Sequence, residues 1–241
     1  MIESLVPAGS SYAGDIDFLV NLILWIVGFW FVLCEVIFFW LIFRFREKDG
    51  VPGQYVSGEE KSQKRWITYP HLVVLVCDIV LVVFAIKVWY DIKQDLPPAQ
   101  AEVRIISQQW AWTFIHEGPD GKLDTADDIR TINELTVKAN TLYHYKLESK
   151  DVIHDFSVPV WRLKQDAIPG RIITGWFEPT LTSDQSPTGY WDIQCAEICG
   201  VGHALMGGKV FVKNEADYAA WVAENSPVSL ASAAAPTGGG R

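Results

Sequence analysis

The chain has 241 residues, a length that fits two domains, or one domain and a membrane-embedded part. Hydrophobic residues make up 49% of it, which favours a membrane protein. The formal net charge of −9 argues against a nucleic-acid partner and favours a basic one, because an acidic surface repels phosphate and attracts cationic proteins.

Two long apolar stretches predict a pair of transmembrane helices. In residues 18–43 the strongly polar members are Asn21 and Glu35, and the stretch exceeds the roughly 20 residues that cross a bilayer. Residues 72–89 are similarly apolar around Asp78, and neither stretch has the polar face of a soluble helix. The expected elements are an external segment over 1–17, helices over about 18–43 and 70–92, and a loop over 44–69.

The distribution of basic residues predicts the orientation of this hairpin. Residues 1–43 contain no Lys or Arg, whereas the connecting loop is rich in both. By the positive-inside rule the loop is cytoplasmic, so both termini lie on the periplasmic side of a cell inner membrane or an equivalent membrane. The basic residues of the loop are Arg44, Arg46, Lys48, Lys61, Lys64 and Arg65.

Two acidic residues lie within the apolar stretches. Glu35 and Asp78 are costly in contact with lipid, so we expect each to face protein. Either residue could conduct protons or form a packing contact with another subunit, and both alternatives imply a partner inside the membrane.

Residues 96–225 have the pattern of an all-β domain. Short runs rich in Val, Ile, Thr, Tyr and Trp alternate with turn signals, which predicts an antiparallel sandwich or barrel of Greek-key type. The first run is EVRIISQQWAWTFIH, and NEADYAAWVAEN predicts a closing helix with Asn214 as its N-cap. The low-complexity tail over 226–241 is expected to be disordered.

An acidic insertion, residues 118–129, follows the first run. Its spaced aspartates resemble a calcium loop, but the terminal Glu of the twelve-residue EF-hand pattern is absent. We therefore expect a solvated turn rather than a calcium site. The aspartates are Asp120, Asp124, Asp127 and Asp128.

The stretch DIQCAEICGVGHALMGG, residues 192–208, concentrates soft metal ligands. Cys195, Cys199 and His203 precede Met206, the only methionine after the first residue. Thiolate, imidazole and thioether donors favour copper, whereas a structural zinc site has no use for the thioether. A blue-copper site takes a single thiolate, so two cysteines suggest two ions with bridging sulfurs, which would share one electron with little rearrangement.

A second copper ion requires another imidazole. The candidate is His154 in DVIHDFSVPV, at the end of a predicted strand. The other histidines, His71, His116 and His144, are more simply explained as structural or surface residues.

At these residues the chain resembles subunit II of the haem–copper cytochrome c oxidases, which carries the binuclear Cu(A) centre. The matching stretches are QQWAWTF (108–114), DVIHDFSVPVWRLKQDAIPGR (151–171) and CAEICGVGHALM (195–206), in the family's order and after a two-helix hairpin. The resemblance covers nearly the whole chain and implies a cupredoxin-like fold for residues 96–225.

The resemblance also implies roles for individual residues. The implied copper ligands are Cys195 and Cys199 as bridging thiolates, His154 and His203 as terminal imidazoles, and Met206 and the Glu197 carbonyl as weak ligands, one to each ion. The Glu197 side chain resembles a magnesium ligand at the interface with subunit I. Trp110 matches the tryptophan that receives the electron. Asp166 and Arg171 resemble residues that face the haem propionates, and Asp151 resembles a group beside the copper site.

The implied function is electron transfer within a respiratory oxidase. The chain would accept electrons from cytochrome c, or from a c-type haem domain of a neighbouring complex, at Cu(A). It would pass them to haem in subunit I. There a separate copper site, Cu(B), takes part in reducing oxygen to water while protons are translocated. Subunit III and membrane lipid are further expected partners, and nucleic acid is not. Two alternatives remain open: a Cu(A)-containing subunit of a nitric oxide reductase, or a membrane-tethered copper carrier or zinc-stabilised module.

One departure from the family concerns the mouth of a proton channel. The family commonly has a Glu three residues before the Trp that opens the second helix, but Gln63 stands there, before Trp66. We expect Glu59 or Glu60 to substitute, or the channel to load protons differently.

Overall fold

The computed structural model describes residues 5–53 and 55–227, and it divides into two compact units. The first unit combines the residues up to Gly14 with those from Ile92 onward, and the second is Asp15–Asp91. The predicted disordered tail lies outside the described residues from 228 onward.

The second unit is formed by two long helices, α1 (Ala13–Arg44) and α2 (Lys61–Trp89). Both are long and apolar enough to cross a membrane. A π-helical turn, Tyr90–Gln94, follows α2. Both helices are longer at their N-terminal ends than the sequence predicts, and α2 begins at residue 61 instead of 70. The prediction followed apolarity alone, whereas the polar first turns of α2 are helical too, and Pro70 lies within the helix.

The two helices of this unit pack through aromatic and small side chains. The rings of Phe18 and Phe84 are 5.3 Å apart in an edge-to-face arrangement. An apolar groove between the helices is lined by Trp25, Ile26, Phe29, Trp30, Val73 and Cys77. Most of the remaining apolar side chains face outward, as expected of a lipid-facing surface or a surface that packs on a partner.

Ten strands form a sandwich of two five-stranded sheets, with strand orders β3-β2-β1-β5-β8 and β4-β10-β9-β6-β7. The strands are β1 (Ala101–Gln108), β2 (Ala111–His116), β3 (Ile129–Ile132), β4 (Glu134–Lys138), β5 (Tyr143–Ser149), β6 (His154–Val158), β7 (Leu163–Ala167), β8 (Ile173–Phe177), β9 (Trp191–Cys195) and β10 (Gly207–Lys213). The predicted sandwich is confirmed, and most of its strand pairs are antiparallel. The pairs β1/β5 and β4/β10 are parallel, which the sequence pattern did not predict.

The run EVRIISQQWAWTFIH is a hairpin rather than one strand. β1 and β2 pair antiparallel, with Gln108 opposite Ala111, so the chain reverses at Gln109 and Trp110. This turn contains no Gly or Pro, which is why the sequence pattern did not reveal it. Its consequence is that Trp110 lies at the tip of the hairpin.

Residues 6–12 pack on the β-sandwich as an N-terminal strap. Gly9 N donates to Val160 O at 2.7 Å, and Thr180 N donates to Gly9 O at 2.9 Å. Ser10 Oγ donates to the carbonyl of Trp161 at 2.7 Å. The Tyr12 ring lies 5.0 Å from that of Trp176. The sandwich is therefore completed by a segment that precedes both helices in the chain.

The remaining helix, α3 (Glu215–Asn225), begins as predicted: Asn214 Oδ1 accepts a hydrogen bond from Asp217 N at 2.9 Å. Its Trp221 ring packs 5.0 Å from His116. His116 is buried at the end of β2, and His144 lies in β5 with Nε2 2.8 Å from Pro97 O, so the contacts of both histidines are with residues other than the metal-ligand candidates.

Candidate metal centre

Two neighbouring strands bring the predicted ligands together. His154 opens β6 and Cys195 closes β9, and the two strands pair with Phe156 opposite Cys195. The chain then forms a loop over 196–206, which is closed at its base by a hydrogen bond from Cys195 N to Met206 O at 3.2 Å. A 3₁₀ turn, His203–Leu205, directs the end of this loop back toward the sheet.

Five side-chain donor atoms, from this loop and from the two strands, converge at one place. The two cysteine sulfurs are 3.7 Å apart. Cys195 Sγ lies 3.9 Å from His154 Nδ1, and Cys199 Sγ lies 3.7 Å from His203 Nδ1 and 3.8 Å from Met206 Sδ. His154, Cys195 and Cys199 form a group that could hold a metal ion, the one such group among the described residues.

Two weak donors lie beside the sulfurs and imidazoles. His154 Nδ1 is 3.1 Å from Met206 Sδ. The carbonyl oxygen of Glu197 lies 3.3 Å from Cys195 Sγ. Thiol sulfurs, imidazole nitrogens and a thioether are donors that copper prefers, and this donor set fits a copper centre.

Asp151 links the ligand His154 to the β1–β2 hairpin. Its Oδ1 lies 2.8 Å from His154 Nε2, and its Oδ2 accepts a hydrogen bond from Gln109 N at 2.7 Å. Burial acts to raise the pKa of Asp151, but the hydrogen bonds from His154, Gln109 and Val152 outweigh it and lower the pKa below its usual value. A carboxylate in this position fixes the ring so that Nδ1 faces the sulfurs.

Cys199 is protonated in the absence of metal. Burial and the hydrogen bond with Cys195 raise the pKa of Cys199 to about 11. Ligation by thiolate therefore requires release of a proton, so binding of a metal ion to this site is favoured by higher pH.

Trp110 is packed directly on the ligand loop. Its Nε1 donates to Cys199 O at 3.2 Å, and the neighbouring Gln109 Nε2 donates to the same oxygen at 2.8 Å. A Cβ at Gly202 would lie 2.3 Å from Trp110 Cδ2, so only glycine permits this approach. The indole remains 39% exposed, and it therefore connects the surface to the backbone of a ligand residue.

The residues implied at a subunit interface lie on the outside of the domain. The side chain of Glu197 and that of Arg171 are exposed. Asp166 in β7 is directly opposite Asp155 in β6. Asp155 is buried, and burial together with a hydrogen bond that its protonated form donates to Asp166 raises its pKa to about 7. Sequence reasoning missed Asp155, although an acidic residue directly after a ligand in a strand was a visible signal.

The acidic insertion is a hydrogen-bonded turn. Asp127 accepts hydrogen bonds from Thr125 Oγ1 at 2.6 Å and Asp120 N at 3.0 Å, and Asp128 accepts one from Asp124 N at 2.9 Å. Asp124 also pairs with Arg104 at 3.0 Å. These carboxylates therefore already have donors.

Comparison with known proteins gives consistent matches. The family model described as cytochrome c oxidase subunit II, periplasmic domain, matches residues 115–213. An alternative cytochrome c oxidase subunit 2 of Bradyrhizobium diazoefficiens is 32% identical, over 87% of this chain and 79% of the relative. A cytochrome c oxidase subunit 2 of Cereibacter sphaeroides is 27% identical, over 90% and 78%.

A similar solved structure is the periplasmic domain of subunit II of cytochrome oxidase of Bradyrhizobium japonicum. It is 27% identical, with a TM-score of 0.46, and the match covers 54% of this chain and 96% of that one.

Proposed function

This chain belongs to the cytochrome c oxidase subunit II family, and on that premise we propose that it is the electron-accepting subunit of a respiratory cytochrome c oxidase. It would receive electrons from cytochrome c at Cu(A) and pass them to haem in subunit I, where oxygen is reduced to water and protons are translocated. The observation that carries the proposal is the convergence of two cysteine sulfurs, two imidazole nitrogens and a thioether at one site, where the 196–206 loop meets β6.

We propose that the site holds two copper ions. Following the family's pattern, Cys195 and Cys199 would serve both ions as thiolates, His154 and Met206 would complete the ligands of one ion, and His203 and the Glu197 carbonyl those of the other. The 3.1 Å between His154 Nδ1 and Met206 Sδ and the 3.7 Å between Cys199 Sγ and His203 Nδ1 support this assignment. When bound, such a pair of ions supplies a one-electron carrier that changes little between its redox states.

The surrounding residues position the ligands and connect them to the surface. Asp151 holds the His154 ring, and its second oxygen holds the backbone of the hairpin that carries Trp110. Trp110 would receive the electron, because it is partly exposed and contacts the carbonyl of Cys199. The exposed carboxylate of Glu197 would ligate magnesium at the subunit I interface.

The two helices support a membrane-anchored subunit. We infer a domain organisation with a transmembrane hairpin over 18–95, a Cu(A) domain over 96–225 and both termini on the periplasmic side of the inner membrane. Subunit I, subunit III, membrane lipid and a c-type cytochrome are the proposed partners. The relatives described above are named as oxidase subunits, which does not favour the nitric oxide reductase or copper-carrier alternatives.

The test is to load the full-length chain with copper in detergent and record its EPR spectrum and copper content. We expect two ions per polypeptide and an unpaired electron coupled equally to both nuclei. A single ion with coupling to one nucleus, in a folded and fully loaded preparation, would overturn the proposal. Cys77→Ser serves as a matched control, because Cys77 lies in α2 and should not affect the spectrum.

A second measurement separates electron uptake from metal binding. Trp110→Phe should slow reduction by cytochrome c in the assembled complex and leave the copper spectrum unchanged. Trp221→Phe, in α3, is the control and should alter neither. Unchanged reduction in Trp110→Phe would remove Trp110 from its proposed role.

A further inference from the structure

The two acidic residues of the membrane hairpin lie at different depths. The contact of Phe18 with Phe84 fixes the antiparallel register of α1 and α2, and the lining of the groove by Phe29 and Val73 agrees with it. In this register Glu35 lies near the level of Ile67, two residues from Arg65 at the basic end of α2. Glu35 is therefore close to the cytoplasmic membrane surface and to cationic side chains.

Asp78 lies much deeper. It is thirteen residues from Arg65 and nine from Lys87, which corresponds to about 20 Å and about 14 Å along the helix. Because the hydrocarbon core is about 30 Å thick, neither basic residue is placed to accompany this carboxylate. Lys87 is also paired with Asp91 at 2.9 Å. Asp78 therefore lies well inside the hydrocarbon region.

Asp78 faces away from α1. The residues of α2 that line the contact with α1 are Val73, Cys77 and Phe84, and Asp78 is rotated by roughly 120° from their mean direction, at 100° per residue. Its side chain is exposed, and within the described residues no group donates a hydrogen bond to it. A carboxylate in this position would face lipid unless another helix covers it.

Other residues of α2 continue this face at a regular spacing. Lys64, His71, Asp78 and Ala85 follow one another every seven residues, and all four are exposed. A seven-residue repeat keeps one stripe in contact with a neighbouring helix that crosses at about +20°. Ionisable residues and small residues are typical of contacts between transmembrane helices.

We propose that this stripe, defined as Lys64, His71, Asp78 and Ala85, is the contact surface for a transmembrane helix of a partner subunit, and that this helix presents a cationic side chain (Arg, Lys or His) to Asp78. The complementary charge offsets the cost of placing the carboxylate in hydrocarbon. The proposal rests on the proposed function to the extent that an oxidase complex supplies the partner helix. Under this proposal Asp78 serves the assembly of the complex, and Glu35 lies at the membrane surface.

The experiment uses the complex purified through an affinity tag on this chain, in detergent, with either Asp78→Leu or Val83→Leu. Val83 is exposed on α2 outside the stripe, so its variant controls for the new side chain. We expect Asp78→Leu to reduce the partner subunits retained by about three- to fifteen-fold, the range of polar contacts between membrane helices, and Asp78→Glu to restore them. Val83→Leu should retain partners as the unsubstituted chain does.

A photoreactive residue gives a second test that does not remove the carboxylate. Placed at Ala85 it should crosslink to a partner subunit, whereas at Val83 it should not. Full retention of the partner subunits in Asp78→Leu would overturn the proposal. If oxidase turnover were also slower, the result would indicate that Asp78 conducts protons instead. The copper EPR spectrum of the same samples tests the proposed function independently. If the unsubstituted chain gave no dicopper signal, the proposed function would be overturned, but the proposal about Asp78 would not.

Discussion

Two buried histidines, one near each end of the β-sandwich, have different groups around their ring nitrogens. His154 lies beside the ligand loop, with a carboxylate on Nε2 and a thioether sulfur 3.1 Å from Nδ1. His116 lies at the far end of β2, beside the acidic turn, with a threonine hydroxyl 3.2 Å from Nε2 and the Trp221 ring packed against it. Both are almost completely inaccessible to solvent. Burial therefore does not distinguish a ligand from a core residue, whereas the atoms around the two ring nitrogens do.

The same contrast holds for the acidic groups at the two ends. Asp151 accepts hydrogen bonds from a ligand and from the hairpin that carries Trp110. The carboxylates of the acidic turn accept hydrogen bonds from their own loop, through Thr125 and neighbouring backbone groups. Carboxylate oxygens that already accept hydrogen bonds are less available to bind a cation.

The largest expected effect is at the ligand end. Cys195→Ser replaces a sulfur that we propose to serve both copper ions by a hard oxygen donor, so the dicopper signal should disappear. Copper content and EPR spectra of the full-length chain measure this. Retention of a signal from two equivalent copper nuclei would contradict the assignment of Cys195.

The next largest effect concerns how the stability of the β-sandwich changes at acid pH because of His116. Burial lowers the pKa of His116 to about 3, so the folded protein keeps it neutral. The unfolded chain takes up this proton below about pH 6.5, so the stabilisation present above that pH is lost by about 1.4 kcal/mol per unit as the pH falls toward 3. In His116→Phe the free energy of unfolding should therefore fall less steeply as the pH is lowered below about 6.5.

The measurement for His116 is unfolding of the β-sandwich, followed by tryptophan fluorescence in the detergent-solubilised full chain from pH 7 to pH 4. Carboxylates that titrate in this range are common to both proteins, so the difference between the two curves isolates the histidine. Parallel curves would show that His116 takes up its proton equally in both states.

A smaller effect is expected from Asp151→Asn. The amide oxygen can still accept from His154, but the charge is lost and the amide nitrogen cannot accept from Gln109. Loss of such a supporting group typically weakens metal binding by about 10- to 100-fold. Competition with a copper chelator measures this, and Asp192→Asn, an exposed change in β9, should leave the affinity unaltered.

The smallest effect is expected in the acidic turn. Hydrogen bonds from Thr125 and Asp120 lower the pKa of Asp127, so their contribution to stability is present above about pH 3.8 and is lost as the pH falls through the folded pKa. Asp127→Asn should therefore leave copper binding unchanged and lower the stability slightly at neutral pH. Calcium should not shift the thermal midpoint of the unsubstituted chain, and a calcium-dependent rise would show that the turn binds the ion.

The sequence was informative where chemistry depends on residue type. The ligand loop concentrates uncommon soft donors, so Cys195, Cys199 and His203 could be named before any distance was measured. The approach of His154 to Cys195 depends on how β6 and β9 pair, and sequence spacing does not encode that pairing. Asp155 was missed for the same reason, because its environment depends on Asp166 across the strands.

Element boundaries were less predictable. The hairpin at Gln109 and Trp110 lacks turn residues, and a continuous β-like pattern concealed it. The start of α2 was placed at the onset of apolarity, although its polar first turns are also helical. Glu35 and Asp78 looked equivalent in the sequence, because depth and direction depend on the register of the two helices.

The N-terminal strap affects how the molecule is synthesised and how a soluble form would be made. The ribosome makes residues 6–12 before α1, and the rest of the sandwich only after α2, so the two parts can join only once both have reached the same side of the bilayer. A fragment that starts after α2 would lack the hydrogen bonds that Gly9 and Ser10 make with Val160, Trp161 and Thr180. A water-soluble version should therefore retain this segment, fused through a short glycine-rich linker in place of the hairpin.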